Sequence, residues 1–303
     1  MKIAILGATG MLGHMVLNVF FGATDYEILA TARNKEEFNN SGRISWALLD
    51  AQEADMVKIA DIIKGCDYVI NCIGIIKPYI HDDNAFEIER AMIVNALFPY
   101  KLAKAAEIVN AKVLQIATDC VYDGVAGDYI ETDRHNALDV YGKTKSLGEV
   151  YSENLMNLRC SIIGPELKGK MSLLEWFLGQ EKNASVNGFK NHLWNGVTTY
   201  QYAKICLGII KENIEFTHLQ HVVPKEYVSK AEMLEHFAKT YNRDDLSIIN
   251  IDAKEAVNRT ISTINPGLNA KIWRAAGYSK IPTVFEMITE LYSASATRCF
   301  NLQ

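Results

Sequence analysis

The chain begins with an apolar run that leads directly into a glycine-rich turn and a helix, and this feature constrains the fold more than any other. Residues 2–6 (KIAIL) are typical of a β-strand, and a helical pattern runs from residue 14 to about residue 21. Between them, glycines at every third position let backbone N–H groups approach a pyrophosphate at a helix N-terminus. The sequence therefore predicts a strand–turn–helix unit that binds a nucleotide. Its predicted cofactor contacts are Gly7, Thr9, Gly10, Met11, Leu12 and Gly13.

The rest of the chain separates into a regular first half and a less regular second half. In the first half, strands are predicted at residues 27–33, 44–50, 67–74 and 111–118, and a long helical pattern at 85–110. Such alternation indicates βαβ units and a parallel α/β sheet. In the second half, helical patterns occupy residues 172–181, 198–214 and 229–241, with a strand at 217–223. No Pro-, Gly- or Ser-rich linker intervenes, so we expect a domain over residues 1–160 and a smaller packed lobe over 161–303, with an approximate boundary and segments free to return to the first domain.

The composition excludes several classes of protein. A net charge of −5 over 303 residues provides no basic surface for nucleic acid, and no apolar run reaches the ~18 residues that span a membrane. The N-terminus lacks a signal-peptide pattern, and six scattered cysteines without a C-x-x-C pair suit reduced thiols in a cytoplasmic protein. His218 and His221 are the only close histidine pair and have no cysteine or carboxylate cluster beside them, so no metal site is expected.

The strand ends that follow the glycine turn indicate which dinucleotide binds. NAD sites carry a carboxylate after the second strand, whereas this chain has Arg33, whose guanidinium suits a 2′-phosphate. NADPH is therefore the expected cofactor, and NADH is left open as a second one. Asp50 ends the third strand, where its carboxylate can accept a hydrogen bond from the adenine amine. Cys72, Ile73 and Gly74 end the fourth strand, beside the expected pyrophosphate and nicotinamide ribose.

Tyr141 and Lys145 lie at positions i and i+4 of a predicted helix, so their side chains share a face about one turn apart. An ammonium beside a phenol is expected to lower the phenol pKa from about 10 and make it a usable general acid toward a carbonyl oxygen. Thr118 ends the fifth strand, from which its hydroxyl can reach the same oxygen. These three residues are the predicted catalytic set, and Tyr141 and Lys145 are also predicted to contact the cofactor.

Four stretches of the sequence, GATGMLG, NCIG, ATDCVYDG and YGKTK, resemble the extended short-chain dehydrogenases/reductases. The resemblance is closer to the sugar-nucleotide reductases that include dTDP-4-dehydrorhamnose reductase. It is strong over residues 1–166 and thinner beyond, where WNGVTTYQYAK and HVVPKEYVSKAEML resemble segments of the substrate lobe. It implies a Rossmann-type doubly wound parallel sheet that binds NADP and a smaller C-terminal α/β lobe that binds a sugar nucleotide.

The resemblance also implies an activity, the NADPH-dependent reduction of the 4-keto group of a nucleotide-linked 4-keto-6-deoxy sugar. Tyr141 would be the acid, Lys145 would orient it and contact the nicotinamide ribose, and Thr118 would bind the substrate oxygen. The implied partner is a nucleotide-diphosphate sugar of polysaccharide biosynthesis. Candidate substrate contacts are Lys77, Asp119, Cys120, Trp194 and Thr198.

Cys120 leaves a second reaction open. Rhamnose-forming reductases usually carry an aromatic residue there, whereas GDP-fucose synthase has a cysteine two residues after the catalytic hydroxyl, the spacing of Thr118 and Cys120. A 3,5-epimerase/4-reductase would pair that thiol with a second group, for which His192 is the nearest candidate in chain order. A thiol with the ordinary pKa of about 8.5 carries little thiolate at neutral pH, so reduction without epimerisation is expected. A 4,6-dehydratase is disfavoured, because it normally has Asp-Glu after the threonine.

Two further alternatives concern assembly. Some relatives of this fold are non-catalytic NADP-binding regulatory subunits, and the intact Thr–Tyr–Lys set argues against that interpretation. The helical pattern at residues 85–105 is apolar on more than one face. That suits burial against its own sheet, or burial in a homodimer together with residues 141–151, and the sequence leaves both open.

Overall fold

The computed structural model describes residues 1–35, 38, 42–169 and 171–296. Its strands are Lys2–Leu6 (β1), Glu27–Ala32 (β2), Ile44–Leu48 (β3), Tyr68–Asn71 (β4), Lys112–Ala117 (β5), Leu155–Arg159 (β6), Ile162–Ile163 (β7), Ser185–Phe189 (β8), His192–Trp194 (β9), Val197–Thr198 (β10), Leu219–His221 (β11), Val228–Ser229 (β12), Ser247–Ile251 (β13) and Val257–Asn258 (β14). Its α-helices are Met11–Ala23 (α1), Met56–Ile63 (α2), Ala85–Ala91 (α3), Phe98–Ile108 (α4), Val140–Leu147 (α5), Leu173–Leu178 (α6), Thr199–Lys211 (α7), Lys230–Thr240 (α8), Pro266–Ala275 (α9) and Val284–Ala296 (α10).

Seven strands form one sheet in the order β11-β6-β5-β4-β1-β2-β3, and every neighbouring pair is parallel. The sheet is buried on both faces. In β1, Ile3 and Ile5 face an apolar core shared with α1 and α7, whereas Ala4 and Leu6 face a second core shared with α2 and α4. Continuous apolar strands are what a parallel sheet covered on both faces requires. This arrangement confirms the predicted Rossmann-type α/β fold.

The strand order reverses at β1, which lies between β2 and β4. In open parallel sheets, ligands bind in the crevice beyond the carboxyl ends of the strands at such a reversal. The strands predicted at 44–50 and 67–74 are shorter in the structure, ending at Leu48 and Asn71. The residues after these ends leave the sheet at its carboxyl edge, where the crevice lies.

The second half of the chain contributes to this sheet and also forms smaller sheets beside it, called the lobe here. The strand predicted at 217–223 is β11, which extends the large sheet beside β6, and α7 packs against α1. The lobe consists of three small sheets, in the orders β12-β9-β14, β13-β8 and β10-β7, with α8 and α10 against one another. The helices predicted at 172–181, 198–214 and 229–241 correspond to α6, α7 and α8.

The helical pattern at 85–110 is not one uniform α-helix. Between α3 and α4, residues 92–97 form a π-helical turn, and Pro99 stands near the start of α4. A π-turn inserts an extra residue and redirects side chains, and it is often found at functional sites. Here it holds Asn95, which is buried next to the β4–α3 loop.

Two features are absent from the described residues, a membrane-spanning helix and a cluster of metal-binding side chains. None of their helices is long and apolar enough to cross a membrane. In the same part of the chain, no group of three or more His, Cys, Asp or Glu side chains is arranged to hold a metal ion. The five cysteines within the described residues are free thiols, and Cys299 lies outside them.

Candidate active site

The glycine turn brings the start of α1 close to the end of β1. The Gly10 N–H donates to the Gly7 carbonyl at 3.0 Å, and the Gly7 N–H donates to the Thr31 hydroxyl at 3.0 Å. A Cβ atom on Gly13 would lie 2.1 Å from the Gly7 oxygen, so only glycine allows α1 to approach this closely. Gly10 precedes α1 and has no side chain to cap it, which leaves the positive helix end for a phosphate.

The residues after β4 join this turn to α5, the helix that carries Tyr141 and Lys145. A Cβ atom on Gly7 would lie 2.9 Å from Cγ1 of Ile73, and one on Gly74 would lie 3.9 Å from Nζ of Lys145. The structure therefore brings together the predicted cofactor residues of the turn, of the β4 end and of α5. The side chain of Asn95 fixes the loop between them, because it accepts a hydrogen bond from the Ile75 N–H at 2.8 Å and donates one to the Ile75 carbonyl at 2.9 Å.

Arg33 and Asp50 lie at the carboxyl ends of two neighbouring strands. Arg33 directly follows β2 and is exposed, and Asp50 follows β3 and is half-buried. The Asp50 carboxylate accepts a hydrogen bond from the Gln52 N–H at 2.9 Å, which orders the turn that carries it. Their roles toward a 2′-phosphate and an adenine remain predictions.

Thr118 directly follows β5 and caps a short 3₁₀ turn at residues 119–121. Its hydroxyl accepts a hydrogen bond from the Cys120 N–H at 3.2 Å and donates one to the Asp119 carboxylate at 3.2 Å, and it lies near enough to Tyr141 to act on the pKa of that phenol. Helix α5 reaches this turn through Gly142, where a Cβ atom would lie 2.5 Å from the Cys120 oxygen. The glycine after the tyrosine therefore sets the distance between Tyr141 and Thr118, and the structure brings these two predicted catalytic side chains together.

Burial determines the protonation of the tyrosine–lysine pair. It raises the pKa of Tyr141, and the neighbouring Cys120 and Asp119 side chains act in the same direction. This is opposite to the lowering expected from the sequence, since the Lys145 ammonium donates instead to the Ile116 carbonyl at 3.0 Å. Burial lowers the pKa of Lys145 to about 8. The Tyr141 phenol thus keeps its proton, the form that a general acid needs.

The polar candidates for substrate binding surround Cys120. Burial and the Asp119 carboxylate raise the pKa of the Cys120 thiol to about 12, against the charges of Arg259 and Lys77. Burial also raises the pKa of Asp119 itself. The Lys77 ammonium binds the Asp139 carboxylate at 2.9 Å, and Asp139 caps α5. Lys77 therefore lies over the start of the helix that carries Tyr141.

The remaining candidates lie in the lobe. Trp194 is half-buried in β9 and packs against the main core. His192 begins the same strand, and its Nε2 is 3.1 Å from the Glu255 carbonyl. Thr198 is fully buried, and its hydroxyl caps α7 by accepting from the Gln201 N–H at 3.4 Å. Thr198 therefore holds the start of α7, and its contact with a substrate stays a prediction.

Sequence reasoning missed two cations next to the Thr118 turn. Arg259 lies against Gly124 and donates to the Tyr122 carbonyl at 3.1 Å, and its charge also acts on Lys230. Lys230 directly follows β12, and Arg259 directly follows β14. Both strands pair with β9, where Ser229 and Asn258 are each in register with Leu193. Only this tertiary pairing brings them together, as no motif surrounds either residue.

Comparisons with known proteins identify relatives over different parts of the chain. A family model described as "RmlD substrate binding domain" matches residues 1–296. A dTDP-4-dehydrorhamnose reductase of Aggregatibacter actinomycetemcomitans is 34% identical over 151 residues, which cover 49% of this chain and 45% of that protein. The match therefore spans less than half the length of that curated reductase.

Two other likenesses extend over most of the chain. Methionine adenosyltransferase 2 subunit beta of Xenopus tropicalis is 26% identical over 279 residues, which cover 88% of this chain and 79% of that subunit. The solved structure of dTDP-4-dehydrorhamnose reductase from Bacillus anthracis in complex with NADP has a TM-score of 0.71, with 96% of this chain and 98% of that chain covered at 19% identity. At that identity the structural likeness establishes the fold alone.

Proposed function

The chain belongs to the RmlD substrate binding domain family, and from this membership and the site we propose that it reduces the 4-keto group of a nucleotide-linked 4-keto-6-deoxy sugar with NADPH. The curated relatives named as dTDP-4-dehydrorhamnose reductases support this activity, as does the solved relative that holds NADP. Reduction of a ketone needs a hydride, which NADPH supplies when bound, and a proton, which the protein must supply.

The observation that carries the proposal is that the glycine turn after β1 and the protonated phenol of Tyr141 lie at the same edge of the sheet. Gly74, three residues after β4, lies beside the Lys145 ammonium, and Tyr141 and Thr118 are neighbours at the same carboxyl edge of the sheet, where Thr118 acts on the pKa of the phenol. A keto oxygen held between the Tyr141 and Thr118 hydroxyls would receive the phenol proton as negative charge develops on it. Lys145, one helical turn away, is suited to hold the nicotinamide ribose and stabilise the phenolate that remains.

The cations near Cys120 support a substrate that carries a diphosphate. Arg259 and Lys230 are contributed by the lobe, and Lys77 by the β4–α3 loop, and the charges of all three act at Cys120. An otherwise acidic chain that concentrates positive charge beside its candidate acid is suited to bind an anion.

The proposed activity can be tested directly. Purified protein is mixed with NADPH and a 4-keto-6-deoxy sugar linked to dTDP, UDP or GDP, and the absorbance of the reduced nicotinamide is followed. We expect oxidation of NADPH with at least one of the three substrates, and a 4-hydroxy sugar as product. No turnover with all three, in protein shown to bind NADPH, would contradict the proposal.

Cofactor preference is expected to depend on Arg33. Arg33→Ala should weaken NADPH binding roughly tenfold to a hundredfold and leave NADH binding nearly unchanged, because a charge-assisted contact to the 2′-phosphate is lost from an exposed site. Dissociation constants from nicotinamide fluorescence measure both effects. Arg274→Ala, at an exposed arginine of α9, is the matched control and should change neither constant. Equal affinity of the wild-type protein for the two cofactors would disprove the role of Arg33.

Reduction is proposed to proceed without epimerisation. A 3,5-epimerase would need a Cys120 thiolate, and burial raises the pKa of this thiol to about 12, which keeps it protonated at neutral pH. For turnover in D₂O with unlabelled NADPH, we expect a product with protium at C3 and C5 by NMR. Deuterium at either carbon that disappears in Cys120→Ser would instead establish the bifunctional reaction.

A second candidate function follows from a relative that aligns over 88% of this chain. The Xenopus tropicalis protein is a subunit of methionine adenosyltransferase 2, which favours an NADP-binding regulatory subunit as the alternative. The two functions separate in the turnover experiment, since a regulatory subunit would bind NADPH without oxidising it. The paired Tyr141 and Thr118 hydroxyls support the reductase.

A homodimer is proposed through the helices around α5. Apolar side chains on the outer faces of α3, the π-turn, α4 and α5 are exposed in the single chain, which suits burial between two copies. They are Phe86, Met92, Leu97, Tyr100 and Leu147. Light scattering should therefore give about twice the chain mass of 33.9 kDa. A mass near that of one chain at all working concentrations would contradict the dimer.

A further inference from the structure

Arg159, the last residue of β6, is fully buried, and its guanidinium has a partner for every N–H. Nε donates to Oε1 of Glu149 at 3.0 Å, and Nη2 donates to the second oxygen of the same carboxylate. Nη1 donates to the Tyr122 hydroxyl at 2.6 Å and to Nε2 of His221 at 2.7 Å. The remaining Nη2 proton is directed to Nε2 of His135 at 2.7 Å. Five donors thus meet five acceptor atoms, which is what a buried arginine requires.

This arrangement determines the state of both histidines. A guanidinium can only donate, so each Nε2 must accept, and both rings must be neutral with their proton on Nδ1. The contacts of Nδ1 support this assignment, because Nδ1 of His221 lies 2.6 Å from the Ser262 carbonyl and Nδ1 of His135 lies 2.7 Å from the Ser146 hydroxyl, and both oxygens can accept its proton. Burial lowers the pKa of His135, and burial together with the Arg159 charge lowers the pKa of His221 to about 4.

The partners of Arg159 belong to the two segments that carry the candidate catalytic groups. Tyr122 directly follows the 3₁₀ turn capped by Thr118, and its hydroxyl is anchored by donating to the Ile130 carbonyl at 2.9 Å. Glu149 lies four residues beyond Lys145, just after α5. Ser146, which contacts His135, directly follows Lys145 in α5. Arg159 therefore joins the Thr118 turn to the helix of Tyr141 and Lys145 from behind the site.

We propose that Arg159 and its four partners Glu149, Tyr122, His221 and His135 form a positioning node, a hydrogen-bonded cluster that holds the Thr118 turn against α5, and that protonation of His135 breaks hydrogen bonds of this node. The node is defined by geometry, and its effect on turnover rests on the proposed reductase function. A proton on Nε2 of His135 replaces an acceptor by a donor that faces the Nη2 donor of Arg159. The ring must then turn away, and Arg159 and the imidazolium compete for the Glu149 carboxylate, which lies 3.7 Å from Nε2.

His135 is the proton-sensitive member because water reaches it. Its side chain is 26% exposed, whereas the side chain of His221 is fully buried. Charged or titratable groups surround it from every packed segment. They are Arg159 and Glu149 in contact, Tyr122 with ring centroids 5.7 Å apart, Lys143 on the surface side, and beyond these His221, Glu131, Asp133 and His218. Of these, Glu149 is the carboxylate that both Arg159 and a protonated His135 would need.

The proposal is tested by amide hydrogen exchange without any substrate. Exchange is measured at pH 7.5 and pH 5 for residues 119–122 and 144–148, with correction for intrinsic rates. In the wild-type protein we expect protection of both segments to fall about tenfold or more at the lower pH, because bonds to a charged group are lost. His135→Gln offers an amide oxygen to Arg159 and cannot take a proton, so its protection should not change with pH.

His236→Gln is the matched control. His236 is also half-buried with a lowered pKa, caused first by burial, but it bonds Phe285 and Thr289 of α10 instead of Arg159. This variant should respond to pH as the wild-type protein does. Wild-type protection that is equal at both pH values, or His135→Gln that loses protection as the wild type does, would overturn the proposal.

Two further readouts complete the test. In wild-type protein at pH 7.5, nitrogen NMR of labelled histidine should show the proton of His135 on Nδ1, and a proton on Nε2 would overturn the node even if His135→Gln did not fold. For turnover, we expect kcat to fall on the acid side in the wild type and not in His135→Gln, with KM unchanged. If no substrate is turned over, the proposed function fails, while the exchange data still decide the node.

Discussion

Replacing Tyr141 by phenylalanine is expected to reduce kcat roughly 10²- to 10⁴-fold, because the substituted ring has no proton to give to the keto oxygen. Burial keeps the phenol protonated, so in the wild type the acid is ready before the hydride arrives. Nearly the full loss should appear in kcat, since the hydrogen bond from the phenol to the keto oxygen strengthens as negative charge develops on that oxygen. Single-turnover oxidation of NADPH measures this step.

Two controls make the Tyr141 result specific. NADPH affinity of Tyr141→Phe should stay within about twofold of wild type, since the ring and Lys145 remain. Tyr151→Phe, at a tyrosine that is 82% exposed, should retain full activity. More than a tenth of wild-type kcat in Tyr141→Phe would mean that another group donates the proton.

Gly13→Ala is expected to lower the free energy of unfolding by about 3 kcal/mol and to abolish NADPH binding. The added Cβ would lie 2.1 Å from the Gly7 oxygen, 2.7 Å from the Gly7 carbonyl carbon and 2.9 Å from the Ala8 Cα. All three atoms belong to backbone, so α1 must move away from the turn. The N–H groups that would hold a pyrophosphate then move with it. Urea unfolding and NADPH fluorescence measure the two effects.

The same helix offers the control for Gly13. Gly22 is exposed near the end of α1, and a Cβ there would meet no atom within 4 Å. Gly22→Ala should stabilise the protein by a few tenths to about 1 kcal/mol, through the lower backbone entropy of the unfolded chain. Similar losses in both variants would show that the effect of Gly13→Ala is not steric.

The sequence predicted the parts of the site that depend on local pattern. These parts are the glycine turn, the strand ends and the spacing of Tyr141 and Lys145, and each depends on a few consecutive residues. The structure places Tyr141 near Thr118, as expected. The direction of the Tyr141 pKa shift was wrong, because burial raises this pKa and the Lys145 ammonium donates to the Ile116 carbonyl instead. Arg259 and Lys230 were missed for a similar reason, since only the register of β12 and β14 on β9 makes them neighbours.

The return of β11 and α7 to the first half of the chain has a consequence during synthesis. The edge of β6 is covered by β11 and the apolar face of α1 by α7, which begin about sixty and forty positions after Arg159. A ribosome that has released only the first half has therefore exposed an open strand edge and an uncovered helix face. Because chains grow at only ~5–20 residues per second, this surface persists for seconds and is a natural binding site for chaperones. The nascent protein can complete its cofactor-binding sheet only after His221 has left the exit tunnel.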